Sequence, residues 1–391
     1  MTPPPPPVNS ICLFLKGLAI YCVAVSFSLA APEVRNLVVY SQDDKFAGWP
    51  ANEGIWSWGG EILTAFEVAS FVETDGDHSV DRNSPKEIMF ARSLDGGETW
   101  TAEAHPEIGL PDYIGDEEKF RQQREGERIP VPSPGGFDLT HPGFAMKLRG
   151  GSFYVSQNRG RRWEGPYQLP GFDYASEART SYIVTGKSSC IVFMTARVTR
   201  RGATYSRSCA LETTDGTKTF RFLSWIGGDI LDAAGRRDDI KGKSEVIFSI
   251  MPSAVKLTGG RFICALRQRF ERAKWTDIYE STDNCRTWRH LGVLEKGGGN
   301  PVSLLALQDG SVAAIYCSRR NPPFGLAAKI SQDNGAGWSK EIVLRKDARK
   351  WDIGYTRAAP RPDGGIVIVY YYTTKAIPNN HIAATIWHPA R

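Results

Sequence analysis

Five short segments of this chain spell nearly the same phrase: SLDGGETW at 93–100, SQNRGRRW at 156–163, TTDGTKTF at 213–220, STDNCRTW at 281–288 and SQDNGAGW at 331–338. Each opens on Ser or Thr, places Asp or Asn two residues later, and closes on Trp or Phe. Their starts lie 63, 57, 68 and 50 residues apart. Asp and Asn accept backbone N–H bonds in a turn, Gly tolerates positive φ, and the hydroxyl closes the loop. The terminal aromatic covers the turn and packs between neighbouring sheets. A period of this size with β-rich sequence between points to a propeller or another repeat architecture.

A second landmark gives an independent count. Glycine-centred turns precede apolar strands at Gly59-Gly60, Gly186, Gly259-Gly260, Asp309-Gly310 and Gly364-Gly365. A shorter unit, FAMKL at 144–148, turns at Gly150-Gly151 into SFYVS. The expectation is six units of antiparallel strands. The last lacks the repeated phrase, because HIAATIWH (381–388) supplies its third strand and RNLVVY (35–40) its fourth. Pairing the two chain ends closes a ring and removes free sheet edges. A charged piece near 115–126 is the best helical candidate, inside an insertion at 103–136; a second insertion spans 226–248. Insertions of this length are lids or tolerated surface loops.

Composition narrows the chemistry. The chain of 391 residues, 41% of them hydrophobic, can bury a large core, and its formal charge of +5 is mild for that length. No Lys/Arg run suggests a nucleic-acid groove. GxxxxGK[ST], HExxH, GxSxG and CxxC are all absent from the sequence, so phosphate loops, zincins, serine hydrolases and zinc knuckles lack support. No cofactor and no metal set is expected. Residues 11–30 are apolar except for Lys16 and end in small residues before Ala31-Pro32. Residues 1–31 therefore read as a secretory signal peptide or an N-terminal anchor, and 32–391 as the propeller. The protein is expected to be secreted or periplasmic, with no membrane contact beyond such an anchor. Cys190, Cys209, Cys264, Cys285 and Cys317 form an odd, scattered set, expected as free buried thiols.

In four-stranded antiparallel units, successive connections alternate between two faces. The glycine turns and the repeated phrases then share one face, and the opposite face carries the loops where binding residues belong. That second face is expected to hold 73–85, 197–207, 267–274, 318–324 and 373–380, with the strand lead-ins GWPANEGIWSW (48–58), FDLTHP (137–142), EART (177–180) and WDIGYTR (351–357). Arginines, carboxylates, histidines and a tyrosine converge there. Guanidinium forks grip carboxylates bidentately, which makes an acidic ligand the expected partner. His141, with Asp138 three residues before it, is one acid/base candidate.

The repeated phrase resembles the Asp-box of the sialidase superfamily. The resemblance covers nearly all of the chain after residue 31 and implies an all-β, six-bladed β-propeller with Asp-box turns. FDLTHP, GWPAN and the RPDG…YYY…HIAATIW ending resemble a bacterial sialidase-like branch. Exo-sialidases of that superfamily use three arginines on the sugar carboxylate, a tyrosine nucleophile with a glutamate partner, and an aspartate acid. By this resemblance Arg267 matches the second arginine, Arg319 or Arg320 the third, and Tyr355 the nucleophile. Among Asp75, Asp77 and Asp81 the acid is expected to be Asp81, with His78 beside it as a binding residue. Two parts of the pattern are missing. GWPAN lacks the first arginine, for which Arg179 or Arg357 could substitute; Ile250-Met251-Pro252-Ser253 replaces the glutamate partner, for which Glu177 could stand in.

The reading implied is an exo-acting glycosidase on a terminal acidic sugar, a sialoside-like carbohydrate. Two alternatives share the scaffold. One is a lyase on uronic-acid polysaccharides using His141 and Tyr355. The other is a non-catalytic carbohydrate-binding propeller, motivated by the missing arginine and glutamate.

Overall fold

The computed structural model describes residues 1, 33–109, 129–169, 174–200, 202–229 and 247–389. The signal-like segment, the helical candidate at 115–126 and most of the 226–248 insertion lie outside the described residues. Nearly all regular structure is β. The one α-helix among the described residues, α1 (Pro50–Glu53), is a single turn that starts at a proline after Trp49 in the left-handed region.

The chain folds as successive antiparallel runs. β1 (Val34–Tyr40) is set aside for the end. β2 (Lys45–Gly48) and β3 (Ile55–Trp58) both pair with β4 (Glu61–Ser70), followed by β5 (Glu87–Ser93) and β6 (Thr101–Ala104). β7 (Ala145–Gly150), β8 (Ser152–Ser156) and β9 (Glu164–Gln168) come next. β10 (Ala175–Arg179) bridges two runs: it pairs with β7 through its last residues and with β12 (Ser189–Arg200) through its first. β11 (Tyr182–Gly186), β12, β13 (Ala203–Thr213) and β14 (Arg221–Trp225) form the next run. β15 (Ile247–Lys256) to β18 (Arg289–Lys296) follow through β16 (Phe262–Phe270) and β17 (Ala273–Ser281). β19 (Ser303–Ala306), β20 (Val312–Ser318), β21 (Gly325–Ser331) and β22 (Ile342–Arg345) make another. The chain ends in β23 (Gly354–Pro360), β24 (Ile366–Tyr372) and β25 (His381–Trp387), and β1 adds antiparallel to β25 as the outer strand.

Period-2 alternation explains how the runs pack. On β12, Val192 and Met194 face Met146, Phe153 and Val155, whereas Ile191 and Phe193 face Phe262, Cys264 and Leu266. The same division recurs on β20, where Ala314 and Tyr316 join Ile263 and Ile278, and Ala313 and Ile315 join Ile366 and Ile368. Phe46, Ile62 and Phe66 of the first run pack on Val367, Val369 and Tyr371 of the last. Strands buried on both faces read as continuous apolar runs, as IVIVYYY of β24 does.

The repeated phrases occupy the β5–β6, β8–β9, β13–β14, β17–β18 and β21–β22 connections and share one hydrogen-bond plan. In the first, Asp95 Oδ1 accepts from the backbone N–H groups of Glu98 and Thr99 at 3.0 and 2.9 Å, and Thr99 Oγ1 donates to Oδ2 at 2.6 Å. Ser93 Oγ accepts from Gly97 N, and Trp100 Nε1 donates to Gly97 O. Desolvation is the largest single effect and opposes ionisation, but the donors together outweigh it and hold Asp95 at about 2; Asp283 is held at about 2 in the same way. These carboxylates are consumed by their own turns. All five cysteines of the described residues are free and buried. Cys190 and Cys209 are not cross-strand neighbours, since Cys190 lies opposite Thr213 and Cys209 opposite Met194.

Candidate active site

The site is built where inner strands begin. At the start of β23 the register slips between Gly354 and Arg357, and Tyr355 takes φ 54°. β15 does the same between Ile250 and Ser253, with Met251 at φ 57°, and Trp49 adopts φ 57° ahead of α1. A bulge re-aims a side chain that regular pleating would send into a neighbouring sheet. Non-glycine residues in this region cost on the order of 1–3 kcal/mol each and persist only where surrounding structure fixes them.

Three arginines act on Tyr355. Burial works to raise the phenol's pKa, but the charges of Arg267, Arg319 and Arg179, with a hydrogen bond from Arg267, outweigh it and hold the group below the ordinary tyrosine value. Each guanidinium is fixed by one anchor. Arg267 Nε donates to Gly299 O at 2.5 Å, and its guanidinium lies 5.3 Å from the Phe248 ring centre. Arg319 Nε donates to Trp351 O at 3.1 Å, and the group sits 5.0 Å from the Trp351 ring and 5.9 Å from the Tyr355 ring. Arg179 Nε donates to Asn52 Oδ1 at 2.8 Å. Asn52 is supplied by α1, so GWPAN holds an arginine instead of containing one.

Beside Tyr355 stands a histidine–carboxylate pair. His78 Nδ1 lies 2.6 Å from Asp352 Oδ1, and the His78 ring is edge-on to Tyr355 at 6.4 Å and to Trp49 at 5.4 Å. Asp352 is fully buried. It also accepts from Ser79 N at 2.9 Å, Tyr371 Oη at 2.8 Å and Asn380 Nδ2 at 3.3 Å. Burial opposes its charge, yet His78 and these donors outweigh that and hold the carboxyl below the usual range. A carboxylate on Nδ1 fixes the ring and leaves Nε2 as the nitrogen available to a ligand.

The other sequence candidates fall elsewhere. Arg320 is exposed and contacts only Lys296 O, at 3.5 Å, so the third arginine beside Tyr355 is Arg319. Arg357 is turned inward: its Nη2 donates to Ala51 O and Thr180 O at 2.6 and 2.5 Å. Asp81 shapes its own turn, accepting from Asn83 N through Oδ1 and from Ser84 Oγ through its carbonyl. Glu177 is engaged by Arg197 at 3.1 Å and Ser206 at 2.9 Å.

Asp138 and His141 correct the expectation that FDLTHP belongs with the site. Gly136 N and Phe137 N donate to Asp215 O and Gly216 O, Gln157 Nε2 to Asp138 O, and Leu139 N to Lys187 O. Every one of those partners lies in a repeated turn or the β11–β12 turn. Asp138 Oδ1 is taken by Thr140, and His141 Nδ1 accepts from Gly143 N at 3.1 Å. The physical reason is parity. β7 follows this segment without an inner strand before it, so the segment lands on the face of the repeated turns.

Beneath α1 lies a buried ionic cluster that the sequence reading missed. Glu53 is fully buried and bonded to Lys147 and Arg149, and Arg149 Nη2 donates to Glu67 Oε1 at 2.8 Å. Such a cluster holds its members in register, and removing one partner strands a buried charge.

Comparison with known proteins adds the fold's relatives. No family model and no curated protein matches the chain. Solved structures do. A protein of unknown function from Dyadobacter fermentans aligns over 91% of this chain and 99% of its own, at 21% identity and a TM-score of 0.62. The likeness is one of nearly all-β fold. The NanB sialidase of Streptococcus pneumoniae matches 90% of this chain and 70% of its own at 12% identity and TM-score 0.54. The α-L-arabinofuranosidase of Fusarium graminearum matches 90% and 96% at 12% identity and the same TM-score. Among the described residues, no helix is long and apolar enough to cross a membrane, and no group of three or more metal-ligating side chains occurs.

Proposed function

We propose that the chain is an exported glycoside hydrolase of the sialidase type, acting on a terminal sugar that carries a carboxylate. The observation that carries this is the convergence of Arg179, Arg267 and Arg319 on Tyr355. Three guanidinium groups suit one carboxylate, and a neutral phenol can approach an anomeric centre beside that carboxylate without repelling it. The runs are read as six blades of one ring with Asp-box turns, β1 closing the sixth. The pairing of β1 with β25 and the packing of Phe46 and Phe66 on Val367 and Tyr371 support this.

In this reading the arginines seat the carboxylate and Tyr355 Oη bonds to the anomeric carbon as its phenol proton passes to solvent. The bond from that carbon to the leaving oxygen breaks as His78, oriented by Asp352, delivers a proton to the oxygen. Water then attacks the anomeric carbon and gives a proton to His78, while the bond to Tyr355 Oη breaks and the phenolate regains its proton from solvent. His78 thus takes the part first assigned to Asp81, and Arg179 takes that of the missing arginine. Residues 1–31 direct export to the periplasm or the medium.

The test is turnover of fluorogenic sialosides and uronides by the purified chain, with Tyr355→Phe as comparison. Turnover in the parent and its loss in the variant is expected, with binding kept. Undiminished turnover in the variant sinks the assignment. The His78–Asp352 pair also favours one alternative, a uronic-acid lyase with His78 or Tyr355 as base. Growth of ultraviolet absorbance from an unsaturated product would select it. Binding without any turnover would select a carbohydrate-binding propeller.

A further inference from the structure

Two cavities meet at Arg357. One, of about 20 Å³, is lined by Arg179, Glu177, Thr195, Met251 and Arg357 among others. The other, of about 230 Å³, lies further along β23 toward the Gly364 turn and shares Ser181, Ser253 and Arg357 with the first. Three polar atoms of residues lining the smaller cavity are buried with no partner among the described residues: Arg179 Nη1, Arg357 Nε and Thr195 Oγ1. Two are cationic donors and the third is a hydroxyl able to donate.

Neither guanidinium is hydrogen-bonded to a carboxylate, although the charge of Glu177 reaches Arg179 and that of Glu53 reaches Arg357. Glu177 is committed to Arg197 and Ser206, and Glu53 to Lys147 and Arg149. Arg357 meets only backbone carbonyls and Arg179 only an amide oxygen. Two like charges around one small void, each with a spare donor, call for an anion between them. A void of this size suits one small anion.

We propose that the smaller cavity binds one small monovalent anion of the halide class, held between the guanidinium groups of Arg179 and Arg357 with the Thr195 hydroxyl as third donor. The wider cavity adjoins it at Ser181, Ser253 and Arg357. The site goes beyond the proposed hydrolysis and does not rest on it. By neutralising the repulsion behind Arg179, the anion leaves that arginine free to face a ligand.

The test uses the full chain. In crystals grown in sodium bromide, one anomalous peak is expected within about 3.5 Å of both Arg179 Nη1 and Arg357 Nε. Water alone there at saturating bromide overturns the proposal. In solution, Tm should rise saturably with chloride or bromide against gluconate at constant ionic strength. Thr195→Val, which keeps the volume, should weaken the apparent halide affinity at least about tenfold, the loss of one good donor. A halide response unchanged in both Thr195→Val and Arg357→Gln also overturns it. A bromide peak in a protein that turns over no acidic sugar leaves the anion site standing and sinks only the hydrolase reading.

Discussion

Tyr355 gathers the consequences of single residues. Its phenol sits below the ordinary tyrosine value because Arg267, Arg319 and Arg179 outweigh its burial, whereas burial and Asp352 drive Tyr371 well above. Ultraviolet difference titration of the parent against Tyr355→Phe should therefore show one tyrosinate forming below pH ~10, the ordinary value. Arg179→Ala should move that step upward, since it removes a charge favouring the phenolate; an unmoved step would detach Arg179 from the cluster. His78 and Asp352 separate by a different readout. His78→Ala is expected to lower kcat by about 10²–10⁴ on a substrate whose leaving group needs a proton, and much less on one with an acidic phenol leaving group. Asp352→Asn should change the pH profile of kcat with little effect on KM, because it acts on the imidazole and touches no substrate. Equal losses on both leaving groups would make His78 a binding residue.

The repeated turns work as elements because Gly97, Gly160 and Gly335 each lie against a neighbouring run. A Cβ on Gly97, at φ 95°, would lie 2.7 Å from Val367 Cγ2, and one on Gly160 would lie 2.3 Å from Leu63 Cδ2. Gly97→Ala thus adds strain at positive φ to overpacking against β24. A loss of about 1–3 kcal/mol is expected, read as a lowered denaturant midpoint with unchanged m. Asp95, Gly97 and Trp100 were legible in the sequence because turn chemistry is local and recurs. The strand-joining glycines were legible for the same reason. FDLTHP was misplaced because its face depends on how many strands precede it, and β7 comes first in its run, its neighbour β10 following later in the chain. Asp352 escaped notice because its partner His78 lies 274 positions away, and no local pattern joins them. Arg179 was one of two candidates until Asn52, in a one-turn helix, was seen to hold it.

At the scale of the molecule, the site draws residues from separate runs packed face to face, so whatever loosens one run loosens the positions of Arg179, Arg267, Arg319 and Tyr355 together. The most exposed joint is between the chain ends. β25 is buried throughout, and on its outer edge its backbone groups are met by β1 alone, from Val34 opposite Trp387 to Tyr40 opposite Ile382. β1 adds buried Val39, with Leu37 and Tyr40 packed beside it, to the core as well as completing the ladder. Removing residues 33–40 would leave HIAATIW as a bare, apolar edge, a template for pairing with another chain. The shortened protein should melt lower and move to oligomers in size-exclusion chromatography as concentration rises. Placing a proline at Val38, in the middle of the ladder opposite Ala383, should give the same change in weaker form. If the shortened chain stays monomeric with an unchanged Tm, β1 is dispensable and the first and last runs are held together by inter-sheet packing alone.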